Sequence, residues 1–490
     1  MTPVPRFAVV GRVNKGKSSI VATLAEDDSI RVDPRPGTTT EVHEYPVTVD
    51  GRPLFVLVDT PGFEDAPRAL AWLRSREVSA AERPARVAEM LRAFEGTDEL
   101  VDERRLLQPI LAGANILYVV DGTRPYRRNY EAEMEILRWT GQPGMALVNR
   151  IGDEDHADEW RRALDQYFRM VRDFDAFSVT FEERLRLLTT FRELRPDARA
   201  AIDEAIGALT AQRLRRRAEA AGEIADLLAD ELTMTEEVVV DDEAALAAER
   251  DRVERRFHDR LREREEKARR RVEKLYRHGG ARFESPSLER PVFQQDLFAE
   301  ETWKLLGLTP AELLAAGTLA GAAVGGAVDL AVGGASFMAG TAIGGAVGGA
   351  TALVSLGRRF ARMRPVGRRG ASGWLRMARH YWEGGRRFRI GPHAQPNFPW
   401  VLLDRALLHY DAVARHTHAQ RGVIAAGEGG EREGVVAGFA RAERRELDRL
   451  FGKIRRSPAD PRRELRDALE RSVARLLRRI DPVPGEVPGG

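Results

Sequence analysis

Residues 6–19 read RFAVVGRVNKGKSS. The first five form a short, largely β-branched apolar run, the composition of a buried strand. Gly11, Gly16, Lys17 and Ser18 then satisfy the spacing G-x-x-x-x-G-K-[ST], and residues 19–25 read as a helix. A phosphate-cradling loop needs this order of elements. Glycines let the backbone fold tightly enough for its N–H groups to point inward, and the following helix adds its positive N-terminal end. Lys17 would place its charge at the β/γ phosphates, and the Ser18 hydroxyl can ligate Mg²⁺; Lys15 and Ser19 belong to the same phosphate-binding stretch. An ordinary turn is much the weaker reading, because both flanking elements are the ones the mechanism requires.

Three more apolar runs follow: residues 53–58 (PLFVLV), 115–120 (NILYVV) and 145–148 (MALV). They end in Asp59, Asp121 and Asn149, and residues 64–107 read as mostly helical. Alternating strands and helices predict an α/β domain with a mostly parallel sheet, whose ligands sit at the carboxyl ends of the strands. Asp59 opens the stretch DTPG, residues 59–62. It could hold Mg²⁺ through water, and the Gly62 N–H could meet a γ-phosphate. Residues 36–40 (PGTTT) lie where a loop could bring a threonine to the metal. Each feature alone is weak; their order makes them strong.

Residues 11–19, 36–39 and 59–62 resemble the P-loop, switch I and switch II motifs of Era/TrmE-like GTPases, over roughly the first third of the chain. The resemblance implies a P-loop NTPase (G) domain that binds GTP and GDP with Mg²⁺. It implies Thr39 as the switch I magnesium threonine, so that Ser18, Thr39 and Asp59 form the metal set and Lys17, Thr39 and Gly62 the catalytic set. Asn14 stands where potassium-activated members carry an asparagine that helps bind K⁺. Phe63 stands where Ras-like enzymes place a catalytic glutamine, so water would be positioned by a cation, a partner protein or a second G domain. The base-reading motif of the family is Asn-Lys-x-Asp. Residues 149–153 read NRIGD: Asn149 fits, Arg150 could replace the lysine stem, and Asp153 comes one residue late behind Gly152. Guanine specificity is weakened accordingly, and residues 153–155 could equally be an acidic helix cap. The last family motif is not identifiable; Ser178, after a strand candidate near Phe174, is its nearest match.

The rest of the chain is different material. With 490 residues, two to four domains are expected. A 43% hydrophobic, 31% charged composition suits a folded protein with long solvated helices. The absence of cysteine excludes disulfides and thiolate metal sites, and agrees with a cytoplasmic location. The apolar residues ahead of the P-loop are too few for a signal peptide, and none is expected. Net charge is only +2, and acidic residues interleave with the Arg-rich blocks, which argues against nucleic acid as a partner. Residues 197–232 and 241–278 read as long charged helices with solvated faces and intrahelical pairs. Residues 313–356 carry one charge, Asp329, and place small residues at every fourth position: Gly317, Gly321, Gly325, then Gly340, Gly344, Gly348. A membrane needs ~20 apolar residues per helix, so these 44 residues allow a hairpin turning at Gly333 and Gly334, with Lys304 and Arg358, Arg359, Arg362 and Arg364 on the cytoplasmic side of the inner membrane. A buried Gly/Ala-rich helical pair is the alternative. His409, His416 and His418 lack an acidic partner at metal-ligand spacing, and residues 397–409 suit core packing or interfacial docking.

The expected organisation is a G domain at 1–195, a charged long-helix region at 196–300, an apolar hairpin at 301–365, a helical region at 366–481 and a frayed tail at 482–490. The whole resembles bacterial proteins that join an Era-like G domain to a long C-terminal region with a Gly-rich apolar segment. The expected function is a slow, Mg²⁺-dependent GTPase switch acting on a helical, membrane-associated region. The alternatives are a nucleotide-binding membrane scaffold without turnover and an NTPase with relaxed base specificity.

Overall fold

The computed structural model describes residues 4–12, 15–26, 41–150, 155–176, 179–239, 243–276, 381–383, 387–393, 397–415, 435–457 and 463–486. Asn14, Thr39, Asp153, Ser178, His416, His418 and the apolar stretch 313–356 lie outside the described residues. Among the described residues no helix is long and apolar enough to cross a membrane.

Six strands form one sheet: β1 (Arg6–Val10), β2 (His43–Val49), β3 (Arg52–Asp59), β4 (Asn115–Asp121), β5 (Gly144–Asn149) and β6 (Val171–Phe174), in the order β2-β3-β1-β4-β5-β6. Every neighbouring pair is parallel except β2 and β3. The four strands expected from their apolar runs are the inner four of the sheet. β4 is buried along its whole length, as a strand covered on both faces must be. The register sets Val9 beside Asp59 and Asp121 beside Asn149, so the polar strand ends collect on one edge. β2 is not among the expected strands. Its sequence HEYPVTV holds a proline and is largely exposed, which marks an edge strand and hides the pattern. Asp50 (φ 51) and Gly51 (φ 76) close its hairpin with β3, both left-handed as a two-residue turn requires.

Helices cover both faces. α1 (Lys17–Ala25), α7 (Phe181–Leu194) and the start of α8 (Arg199–Thr233) pack on Phe7, Val9 and Leu117. A Thr180/Glu183 capping box fixes where α7 begins. α2 (Ala66–Arg74), α3 (Arg83–Ala93), α4 (Val101–Leu111), α5 (Glu131–Trp139) and α6 (Ala157–Leu164) pack on Val10, Tyr118 and Val120.

α8 has 35 residues, about 50 Å of helix. Ile202 and Ala205 belong to the core of the sheet domain, whereas Ala220, Ile224, Leu228 and Leu232 belong to a second core. The boundary expected at 195 thus falls just before a helix whose first turns still pack on the sheet: composition changes where charge begins, before packing ends. The second core joins α8 to α9 (Glu243–Leu275), α10 (Phe398–Arg415), α11 (Arg441–Arg455) and α12 (Arg463–Ile480). A small antiparallel sheet adjoins it, β7 (Glu236–Val239), β8 (Tyr381–Glu383) and β9 (Arg387–Ile390), ordered β7-β9-β8. These strands have three or four residues; β8 and β9 form a short local hairpin, whereas β7 joins β9 across some 150 positions of chain, so no long alternating pattern announces them.

Three expectations change here. The charged helices are not simply solvated. Arg213, Arg216, Arg217, Glu231 and Glu265 are buried, and important pairs run between helices: Arg405 of α10 grips Glu265 of α9 at 2.7 and 3.1 Å, and Arg264 reaches Glu223 and Asp230 of α8, each at 2.8 Å. Side chains this long bury their stems and keep a buried partner for the head. The tail does not fray at once: Val483 is buried, and Glu486 pairs with Arg217. Residues 397–409 are core packing, with Phe398, Leu402, Leu403 and Leu407 fully enclosed. His409 lies in that core with Nε2 3.6 Å from Glu273, an acidic neighbour from another helix; among the described residues no group of three or more His, Asp or Glu could hold a metal.

Candidate nucleotide site

The loop between β1 and α1 is built on two glycines. Gly11 has φ 141, and a Cβ there would meet the Val119 carbonyl oxygen at 2.4 Å. Gly16 takes the left-handed conformation (φ 80) as the N-cap of α1, which exposes the first N–H groups of the helix. Lys17 and Ser18 follow in the first turn of α1.

Ser18 donates to the Asp59 carboxylate at 2.8 Å. Strand β3 and helix α1, 41 residues apart in sequence, thus bring two hard oxygen ligands together. Their donor chemistry fits Mg²⁺, which takes carboxylate and hydroxyl oxygens and keeps several waters. Lys17 is buried, and its ammonium donates to the Arg12 carbonyl at 3.0 Å. Burial depresses its pKa to about 8, against the opposing pull of Asp59, Glu133 and Asp102. A cation held this way is poorly compensated until an anion arrives.

Two strand ends brace the loop. Asn149 donates to the Lys15 carbonyl at 3.1 Å and accepts from the Ala176 N–H at 3.4 Å, so it ties the P-loop to the chain after β6. Asp121 meets the Lys15 ammonium at 3.2 Å and accepts from Thr123 N and Oγ1 at 3.1 and 2.5 Å. Burial would raise the Asp121 carboxyl, but Thr123 and Lys15 outweigh it and hold it below its ordinary value. Ser19 is buried behind the loop. Arg150 is half exposed, with its guanidinium 3.6 Å from Asp155 and 3.8 Å from Asp173.

The segment after Asp59 is held from several sides. Thr60 donates to the Val9 carbonyl at 2.8 Å. Phe63 is buried in the core and bridges backbone to backbone with Arg12, beyond Gly62. The buried Glu103 of α4 accepts from the N–H groups of Glu64 and Asp65 at 2.8 and 2.6 Å. Arg12 itself pairs with the buried Glu133, lies 4.2 Å over the Tyr130 ring, and reaches the Asn129 carbonyl at 3.2 Å. Tyr118 donates to the other Glu133 oxygen at 2.9 Å.

The structure brings Gly11, Lys15, Gly16, Lys17, Ser18, Asp59 and Asn149 together around this loop, with Ser19 behind it and Gly62 in the segment that Phe63 joins to Arg12. Asp121, Glu103 and Glu133 were missed as supports. Asp121 carried a signal, since it ends a strand on the same edge as Asp59 and Asn149. Glu103 and Glu133 look like ordinary helical surface acids in the sequence.

A family model described as 50S ribosome-binding GTPase matches residues 6–150, and one described as Domain of unknown function (DUF3482) matches residues 161–479. Curated relatives include GTPase Der of Xylella fastidiosa, 33% identical over 126 residues, which are 24% of this chain and 27% of that protein. The tRNA modification GTPase MnmE of Bacillus cytotoxicus is 28% identical over 204 residues, 41% of this chain and 43% of that protein. The chain thus spans less than half the length of these relatives. Solved structures matched include Aquifex aeolicus Era bound to GDP·AlF4⁻, at 18% identity and TM-score 0.22, covering 35% of this chain and 51% of that one. Era with MgGDPNP and a 16S ribosomal RNA fragment matches at 18% identity and TM-score 0.24, covering 36% and 52%. Likeness at that level carries no functional argument. The chain belongs to the family described as Domain of unknown function (DUF3482), and its N-terminal part is a P-loop GTPase domain of the Era/TrmE type.

Proposed function

We propose that this protein is a Mg²⁺-dependent GTPase of slow turnover whose nucleotide state acts on its helical region. The contact between Ser18 and Asp59, beside the buried Lys17, carries the reading: it brings a hydroxyl and a carboxylate from two distant elements together at the end of the phosphate loop. The reaction is hydrolysis of the β–γ phosphoanhydride by water, giving GDP and phosphate. Lys17 moves its ammonium from the Arg12 carbonyl to the β/γ oxygens and offsets charge there as the bond breaks. Ser18 and Thr39 are the proposed metal ligands, with Asp59 behind them through water. Mg²⁺ held there would supply positive charge against the charge that develops on the phosphates. Gly62 offers its N–H to the γ-phosphate, and a ligand that holds Thr39 and Gly62 only as the triphosphate can drive a switch. Phe63 is enclosed in the core and cannot orient water, which supports slow turnover and a role for K⁺ at Asn14. Asn149, Arg150 and Asp153 form the proposed base side. Residues 313–356 are the proposed membrane contact, so the protein would work at the cytoplasmic face of a membrane.

Steady-state GTP hydrolysis by wild type and Lys17→Ala, with and without K⁺ and liposomes, tests this. A loss of at least a hundredfold in the variant is expected; equal rates in all conditions would rule the reading out. Competition of GTP against ATP tests the base side, where equal affinity would defeat the guanine assignment. The burial of Phe63 also favours a second reading, a nucleotide-binding scaffold that returns its triphosphate intact.

A further inference from the structure

The stretch from Asp59 to Asp65 leads from the end of β3 to the start of α2 and carries Gly62. It is anchored on both sides of that glycine. Before it, the Thr60 hydroxyl donates to the Val9 carbonyl at 2.8 Å. After it, Phe63 is enclosed in the core and pairs backbone to backbone with Arg12, the residue whose carbonyl receives the Lys17 ammonium. The next two residues are held by a single atom. Oε1 of Glu103 accepts the N–H groups of both Glu64 and Asp65, at 2.8 and 2.6 Å. Asp65 then caps α2 by accepting the Arg68 N–H at 3.2 Å.

Glu103 lies in the first turn of α4 and is 1% exposed. Its helix is a firm support. Leu106, Leu107 and Ile110 of α4 share one core with Ala8 and Val10 of β1, the strand that enters the phosphate loop. Arg68 of α2 also pairs with Glu99, just ahead of α4, so the two helices are tied a second time. The first turn of α4 reaches the phosphate site: burial and the charge of Glu64 raise the neighbouring Asp102 carboxyl, against Arg105 and Lys17. Removing the Glu103 oxygen would leave two backbone donors without their acceptor, and an N–H group enclosed without a partner is costly. The anchors at Thr60, Phe63 and Glu103 all belong to the chain itself. They fix the backbone around Gly62 before any nucleotide arrives, which spares a ligand the cost of ordering it.

We propose that Glu103 is a positioning residue for triphosphate recognition: its Oε1 holds the Glu64 and Asp65 amides and through them sets Gly62 to meet a γ-phosphate. The proposal rests on the GTPase reading above. GDP has no γ-phosphate, so the tie bears on triphosphate binding and leaves GDP binding alone. Releasing it lets the Gly62 backbone take other arrangements, and the apparent affinity for triphosphate falls with the fraction that stays competent.

The test measures dissociation constants of the full chain for GDP and the GTP analogue GMPPNP with Mg²⁺, in wild type, Glu103→Leu, Glu103→Asp and Glu103→Gln. Glu103→Leu is expected to weaken GMPPNP at least about tenfold and to leave GDP within about twofold of wild type. Glu103→Gln keeps an oxygen acceptor in place and should stay within about threefold of wild type for both nucleotides. Glu103→Asp draws the oxygen back by about 1.5 Å, one carbon–carbon bond, and should fall between the two. It gives the same reading if Glu103→Leu does not fold. Hydrogen exchange with GDP bound should show the Glu64 and Asp65 amides protected in wild type and fast in Glu103→Leu, with residues 106–110 unchanged. Equal weakening of GDP and GMPPNP would reduce Glu103 to a structural support and overturn the proposal. So would GMPPNP binding within about twofold of wild type in the folded Leu and Asp variants. Wild type that binds both nucleotides but returns GTP intact sinks the GTPase reading instead and leaves the two affinities measurable.

Discussion

The sheet domain and the helical region both bury charge, for different ends. At the sheet edge Lys17 is enclosed, its hydrogen bond among the described residues goes to a carbonyl oxygen, and burial lowers its pKa. In the helical region Arg405 and Glu265 are equally enclosed but hold each other in two hydrogen bonds. A buried cation without a carboxylate partner is poised for a ligand, whereas a buried bidentate pair is closed.

Removing half of the closed pair should have the largest effect. Arg405→Ala strands the Glu265 carboxylate in the core and should lower unfolding stability by about 3–5 kcal/mol in denaturant titration. Replacing both residues by leucine should recover most of that loss. If Arg405→Ala is nearly neutral, the pair is not the buried lock that its geometry describes.

Asp404, one residue earlier on α10, sharpens the contrast. Burial raises its pKa to about 7 despite hydrogen bonds from the Val436 and Val435 N–H groups. The folded state then keeps a proton that the unfolded chain releases near pH 4. Its stabilising contribution is full below that pH and is lost as pH rises through 7. Asp404→Asn should flatten this component, on the order of a few kcal/mol between pH 4 and pH 8. A stability difference between wild type and variant that does not change with pH would contradict it.

The smallest effect concerns the incomplete charge. Above about pH 8 the unliganded Lys17 loses its proton and must regain it to hold phosphate. GDP affinity should fall by up to about tenfold per pH unit there, with proton uptake visible by calorimetry in buffers of different ionisation enthalpy. A flat affinity between pH 7.5 and 9.5 would show that the lysine is charged without its ligand.

Much of the sheet domain was legible because its signals are local. Residues 6–19 carry strand, turn and helix in sequence order, and the inner strands are apolar runs. Ser18 and Asp59 could be paired in advance because a metal demands both. Supports such as Glu103 and Glu133 could not, since their partners, the Glu64 and Asp65 amides and the Arg12 side chain, come from other elements. The helical region was legible in its helices and not in its packing. Periodic charge looks the same whether it faces water or a second helix. Arg213 and Arg217 read as solvent-facing until residue 481 is laid against them, and Arg216 until Glu26 is. The short strands β7, β8 and β9 have no local signature, because each exists only by virtue of its partners.

The central claim is that the open charge at Lys17 serves hydrolysis. Full-length protein in excess over radiolabelled GTP, with Mg²⁺ and K⁺, measures it in a single turnover. The account predicts that wild type converts the bound label to GDP and free phosphate, while Lys17→Ala leaves it as GTP. Wild type that binds GTP tightly and returns it intact would contradict the account.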